Sequence, residues 1–374
     1  MLQAKIAKAQ NLFVNPNKLA ILKFMEKYPV HPPNGIVAPG HHTAKAPMTL
    51  GGVAPSTVGT GSTHVRFSKQ KLTNIGDRVA FINCIEETAA GEKGSLSFDV
   101  KFGEELTTAL SRVGRAPIWW LPWNGQGSLV KMKIEGLATS PTLNLGPGIA
   151  NQANPNLFFT AAINGCSIFA YGDLDGPTIY HAGLTGDVML NLGESATRLG
   201  VSTSEEAWGA LLNKVTFSGS DINPGGGARK QDTKANFSEV NRGAYVAERK
   251  GKGFYEARDF VSGTTGKTTK RARNFQAWLE RHPTGAQLRA YSLSPWGCVF
   301  GIRTGNAWEM WLQRNATVIH SVAKRPHKLG GITWGDLVST GGMAQVQIVT
   351  LGLQKVFPTA EPVHYREFNQ INFI

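Results

Sequence analysis

The chain runs to 374 residues, 41% of them apolar and nine of them tryptophan, which is enough to fill one large core or two ordinary ones and excludes a disordered protein. Its three cysteines, Cys84, Cys166 and Cys298, cannot all pair, so a disulfide framework is excluded and a reducing compartment is expected. The net charge of +13 is uneven: residues 1–90 carry 10 Lys/Arg against 4 Asp/Glu, residues 91–226 carry 8 against 12, and residues 227–374 carry 21 against 10.

Residues 1–28 read as two short helices broken at Asn15-Pro16, with Asn15 as N-cap and Pro16 at the first helical position. The second helix has Leu19, Ile21, Leu22 and Met25 as its apolar residues and reads as a helix packed on the body or fraying at the terminus. Residues 29–63 are rich in Pro, Gly, Thr and His and read as a linker, so residues 1–63 are expected to form a flexible basic leader. His41 and His42 within it lack carboxylate or Cys partners at ligand spacing. The folded body is expected over 64–374.

Strands are expected at 77–85 and 96–102, the second with Leu96, Phe98, Val100 and Phe102 on one face. A helix is expected from Glu104 to Val113, ended by Gly114. The run Ile118-Trp-Trp-Leu-Pro-Trp123 reads as core packing, with a substrate-gripping wall as the minority reading; Ser128–Glu135 reads as a strand, and Pro155–Phe159 leads into the block around Cys166. After a short strand at 188–192, Ser202 to Glu205 form a capping box opening a helix to about 215. A basic stretch of loops follows at about 223–273, then a helix at 271–282, and the strand pattern returns at 292–302, 308–322 and 345–349. No apolar run is long enough for a transmembrane helix. The expected fold class is α/β, with a mixed, largely antiparallel central β-sheet or sandwich and flanking helices.

The block from Thr160 to His181 carries the chemistry. Gly165 frees the backbone before Cys166, an apolar strand follows at 167–171, a turn rich in Asp, Gly and Pro comes next, and a second strand ends at His181. Such a hairpin returns its far end beside its start, so that the thiol and the imidazole are expected to meet. The pair has the elements of cysteine nucleophilic catalysis: a thiolate, and a base that also stabilises it.

This block resembles the protein-glutamine deamidases, namely the cytotoxic necrotizing factor toxins, the Burkholderia lethal factor and CheD. These carry a short motif ending in Gly-Cys, a His after one hairpin and, in several members, a Thr six residues before the Cys. Here those positions are Gly165, Cys166, His181 and Thr160, over about 22 residues; the usual Leu-Ser-Gly-Cys reads Ile163-Asn164-Gly165-Cys166. The resemblance implies a bacterial toxin or effector that converts a Gln of a host protein, such as a small GTPase or translation factor, to Glu. Cys166 is then the nucleophile, His181 the base and Thr160 the residue that orients His181. Some relatives orient the His by a main-chain carbonyl instead, and the strand 128–135 is the candidate source. No cofactor or metal is implied.

The N-terminus has no signal-peptide hydrophobic region, so secretion without a classical signal and action in a reducing host cytosol are expected, or otherwise a cytoplasmic site. The partners expected are a protein substrate bearing a reactive Gln and an acidic docking or membrane surface for the basic regions. Specific nucleic-acid binding is not expected.

Three other signals were weighed. Gly263 to Thr268 imitates the end of a phosphate loop, but Val261 stands where the first Gly is required. Gly297-Cys298 with His320 imitates the first block, and Cys298, like Cys84, reads as core. Lys267, Lys270, Arg271 and Arg273 with nearby aromatics read as a solvated basic face. A Cys-dependent protease or transglutaminase, and a basic nucleic-acid-binding or adaptor protein, remain the alternative functions.

Overall fold

The computed structural model describes residues 2–39, 46–47, 68–86, 92–93, 95–106, 108, 110–124, 128–164, 166–183, 236–240, 287–323, 328–329, 332–333, 345–359, 361 and 364–365. Among these, the chain begins with helices α1 (Leu2–Val14) and α2 (Lys18–Lys27). Strands β1 (Val30–His31), β2 (Ala46–Pro47), β3 (Ser68–Lys71), β4 (Val79–Glu86), β5 (Glu92–Lys93), β6 (Leu96–Phe102) and β7 (Ala116–Leu121) follow. Next come β8 (Ser128–Lys133), the small ribbon β9 (Thr142–Leu143) with β10 (Gln152–Ala153), and β11 (Leu157–Thr160). The Cys–His hairpin is β12 (Ser167–Gly172) and β13 (Thr178–Gly183), followed by β14 (Asn236–Val240). The long strands β15 (Gln287–Thr304) and β16 (Ala307–Ala323), the ribbon β17 (Lys328–Leu329) with β18 (Ile332–Thr333), β19 (Gln345–Phe357) and β20 (His364–Tyr365) complete the set.

Two sheets dominate. The larger has the order β1-β6-β4-β7-β11-β15-β16-β19-β20, with β5 also pairing β19, and the smaller has the order β14-β12-β13-β8-β3-β2. Most neighbours are antiparallel; β1 on β6, β11 on β7, β5 on β19 and β3 on β8 are parallel. The fold is therefore the mixed, mostly antiparallel α/β class expected. No described helix is long and apolar enough to cross a membrane.

Alternation along the strands explains the layering. On β7, Trp119 and Leu121 enter the core between the two sheets, while Ile118 and Trp120 enter a second core on the other face of the large sheet. Central strands buried on both faces read as near-continuous apolar runs, as β4, β7 and β11 do. Phe81, Phe158, Val299 and Leu312 of the large sheet meet Val130, Met132, Ile168 and Ile179 of the small one.

The second core is closed by α1 and α2, which corrects the expected leader. Ala9, Phe13, Ile21, Phe24 and Met25 pack on Cys84, Phe98, Phe159 and Phe300. The Gln10 side chain accepts from the Cys84 N–H (2.7 Å) and donates to the Gly114 carbonyl (2.6 Å), and Gln313 donates to the carbonyls of Met25 and Tyr28 while accepting from the Val30 N–H. The break between the helices is capped by Asn17, not Asn15: its side chain accepts from the Ala20 N–H, and Pro16 lies before the cap. The expected linker also begins inside the fold, since β1 extends the large sheet and the Trp120 indole donates to the Ile36 carbonyl. Residues 40–45 and 48–63 lie outside the described residues.

The helix expected over 104–113 is instead two 3-10 turns, Gly103–Glu105 and Leu110–Arg112. Thr108 and Ser111 bond to each other's backbone and side chains, an alternative to the helical ladder, and Leu110 and Val113 face solvent. Gly114 does end the segment, with φ +78. The stretch expected as loops contains β14, which pairs β12. The strand at 188–192, the helices at 202–215 and 271–282, the phosphate-loop imitation, His41, His42 and the basic cluster at 267–273 lie outside the described residues.

Candidate active site

Three elements bring the block together. β11 lies at the centre of the large sheet, with Thr160 beside Leu121 of β7. The chain then leaves that sheet: the Ala161 N–H donates to the Leu121 carbonyl (2.9 Å), Ile163 exchanges two hydrogen bonds with Gly297, and the exposed Asn164 turns toward the small sheet. Cys166 stands one residue before β12, whose first pair is Ser167 with Ala182.

In this register Ile168 lies opposite His181. Residues two apart on a strand share a face, so Cys166 is the diagonal neighbour of His181 on the face turned toward the large sheet. Diagonal positions lie about 7–8 Å apart at Cα, within reach of long side chains. The hairpin inferred from the sequence thus places thiol and imidazole on one face, at one end of the sandwich. Val130 of β8 flanks His181 from the other side and joins the same core.

Both groups are buried: Cys166 is 5% exposed and His181 1%. Burial pushes the Cys166 thiol up to about 12, with a backbone hydrogen bond from Asn164 drawing it partly back. Burial pushes the His181 imidazole down to about 3, against the carbonyls of Leu121 and Pro122, which favour its cation. These carbonyls lie near the ring, yet neither ring nitrogen reaches a hydrogen-bond partner. Each group is therefore neutral, and the expected thiolate is not preformed in this state.

Carbonyls near His181 thus come from the end of β7 rather than from 128–135. Pro122 was the available signal: it has no N–H to donate, so the ladder ends there. Thr160 is fully buried and its hydroxyl accepts from the Val299 N–H (3.2 Å). Among the described residues it makes no hydrogen bond to His181. Its role in this geometry is to tie β11 to β15 beside the strand whose carbonyls approach the imidazole.

The rival thiols are placed elsewhere. Cys298 is fully buried on the helix-covered face, its thiol directed to the Thr160 carbonyl at 3.9 Å and pushed up by burial. It pairs with Gln313, seven residues along β16 from His320, a separation of about 23 Å. Cys84 sits in β4 on that same face. None of the three cysteines forms a disulfide. No group of three or more His, Cys, Asp or Glu able to hold a metal occurs among the described residues. The chain matches no protein-family model and no curated protein.

Proposed function

We propose that the protein is a cysteine-dependent protein-glutamine deamidase, with Cys166 as nucleophile, His181 as base and Thr160 as a positioning residue. The observation that supports this reading is the diagonal placement of Cys166 and His181 on one face of adjacent strands, with the Leu121 and Pro122 carbonyls beside the imidazole. A neutral imidazole is a competent base, and carbonyls nearby stabilise the cation that forms when it takes a proton.

Cys166 Sγ attacks the Gln carboxamide carbon while His181 takes the thiol proton. The S–C bond forms, His181 returns the proton to the departing nitrogen, and the C–N bond breaks to release ammonia. His181 then takes a proton from water, the hydroxide attacks the thioester, the C–S bond breaks, and the thiol recovers its proton. The product is Glu. Because the thiol is neutral at rest, proton transfer accompanies attack rather than preceding it.

A protease or transglutaminase would share the first step and differ in the leaving group or acceptor. Mass spectrometry after incubation with cell lysate separates these outcomes. Deamidation adds about 1 Da per Gln, whereas proteolysis cuts the chain. Gln-to-Glu sites present with wild type and absent with Cys166→Ser support the proposal; cleaved or cross-linked products, or sites unchanged by the substitution, refute it. Three cysteines without a disulfide fit action in a reducing compartment, as expected of an effector delivered to a host cytosol.

A further inference from the structure

The buried pair poses a problem of access. A carboxamide cannot reach a thiol that is 5% exposed beside an imidazole that is 1% exposed. We propose that Ala161–Asn164 is a strap that closes the site at rest, and that its release from Gly297 admits substrate to Cys166 while both sheets stay folded. This rests on the reading of Cys166 as nucleophile, although its test does not.

The strap is tied down at few points. β11 ends at Thr160, and the next ladder pair is Ser167 with Ala182. Between them stand the Ala161 bond to Leu121, the Asn164 backbone bond to the Cys166 thiol and one isolated bridge, Ile163 N–H to the Gly297 carbonyl at 2.8 Å and Gly297 N–H to the Ile163 carbonyl at 2.9 Å. The strands on either side are held by continuous ladders. Local opening is drawn from segments with few backbone bonds.

Ile163 is the plug. It is fully buried in the same core cluster as Cys166, whereas Asn164, the next residue, is exposed. The absence of a side chain at Gly297 lets it lie flat on β15: a Cβ there would come within 3.3 Å of Ile163 Cγ1 and 3.0 Å of Leu312 Cδ1. On the outer side, Ala162 belongs to a small separate cluster with Trp296 and Ile348. Opening the strap therefore lifts Ile163 out of the core it shares with Cys166 and breaks its bridge to Gly297.

Cys84 is an internal reference. It is 6% exposed, its thiol is likewise pushed up to about 12, and it sits inside the paired ladder of β4 under the N-terminal helices. The experiment is alkylation of the folded protein with iodoacetamide, read at each cysteine by peptide mass spectrometry, in urea below the unfolding transition. A strap predicts that Cys166 reacts about tenfold or more faster than Cys84 in the same molecules, with little dependence on urea, because local opening exposes little surface. Gly297→Ala pushes on Ile163 and is expected to raise the Cys166 rate several-fold more while leaving Cys84 unchanged.

Equal rates and parallel urea slopes at the two cysteines in wild type would overturn the strap. So would a folded Gly297→Ala protein whose Cys166 rate is unchanged. If that variant does not fold, the wild-type comparison decides alone. Alkylation requires no turnover: a strap that opens in a protein producing no Gln-to-Glu change refutes the proposed function and leaves the strap standing, and deamidation without faster Cys166 alkylation does the reverse.

Discussion

Replacing Phe13 by Ala tests whether the N-terminal helices belong to the fold. Phe13 is 1% exposed, and its ring meets Phe98 edge-on at 5.8 Å, Phe159 at 5.6 Å and Phe24 at 6.3 Å. Phe-to-Ala truncation at such a site costs about 3–5 kcal/mol. Whole domains are stable by only about 5–15 kcal/mol, so this one ring is a large share. At about 2–4 °C per kcal/mol for a large domain, Tm should fall on the order of 10 °C. Scanning calorimetry with a urea titration measures it, and Val14→Ala, at a 37% exposed neighbour, is the control with an effect within about 0.5 kcal/mol. Deleting residues 1–28 should give insoluble protein, because it uncovers Phe98, Phe159 and Phe300 together. A Phe13→Ala protein melting within about 1 °C of wild type would refute the packed arrangement and restore the detachable leader.

Cys166→Ser should abolish ammonia release from a Gln substrate while Cys298→Ser retains it; loss in the second alone moves the nucleophile to Cys298. His181 makes the protein acid-sensitive. Its folded value is depressed to about 3 from an ordinary 6.5, so above pH 6.5 it costs nothing. As pH falls from 6.5 toward 3, the unfolded chain takes a proton that the native state refuses, and about 1.4 kcal/mol is lost per pH unit. His181→Gln should therefore flatten the fall of Tm between those limits, and identical slopes would show that the imidazole is not held neutral. Thr160→Val leaves the Val299 N–H buried without its acceptor and should destabilise by about 1–3 kcal/mol, whereas Thr160→Ser keeps the oxygen; equal urea midpoints for the two variants would remove the hydroxyl from the architecture.

Strand identity was legible where period-2 alternation is clean. Leu96–Phe102 formed as expected because Leu96, Phe98, Val100 and Phe102 bury one face while Ser97, Asp99 and Lys101 stay half-exposed. The hairpin of Cys166 and His181 was legible because register follows from turn position. Burial at the pair was not, since it depends on Ile163 and on β7, which come from a different sheet. The two helices at 2–27 formed as expected, but their place in a flexible leader did not hold, because their anchors, Phe13 and Phe24, are satisfied by residues far along the chain, and short helices gain stability from docking rather than propensity. Glu104–Val113 failed for the opposite reason: its spacing suited a helix, yet no surface waits for Leu110 or Val113.

The Gln313 clamp has a consequence for biosynthesis. The carbonyls of Met25 and Tyr28 and the N–H of Val30 find their partner 283 to 288 residues later in the chain. The segment made first is thus secured almost last. At about 5–20 residues per second, roughly 15–60 s pass between emergence of α2 and that of its seat on β16. Phe98 and Phe159 emerge earlier and can meet Phe13, but throughout that interval the carbonyls of Met25 and Tyr28 lack their Gln313 donor, which makes the locking of the helical layer a late act of folding.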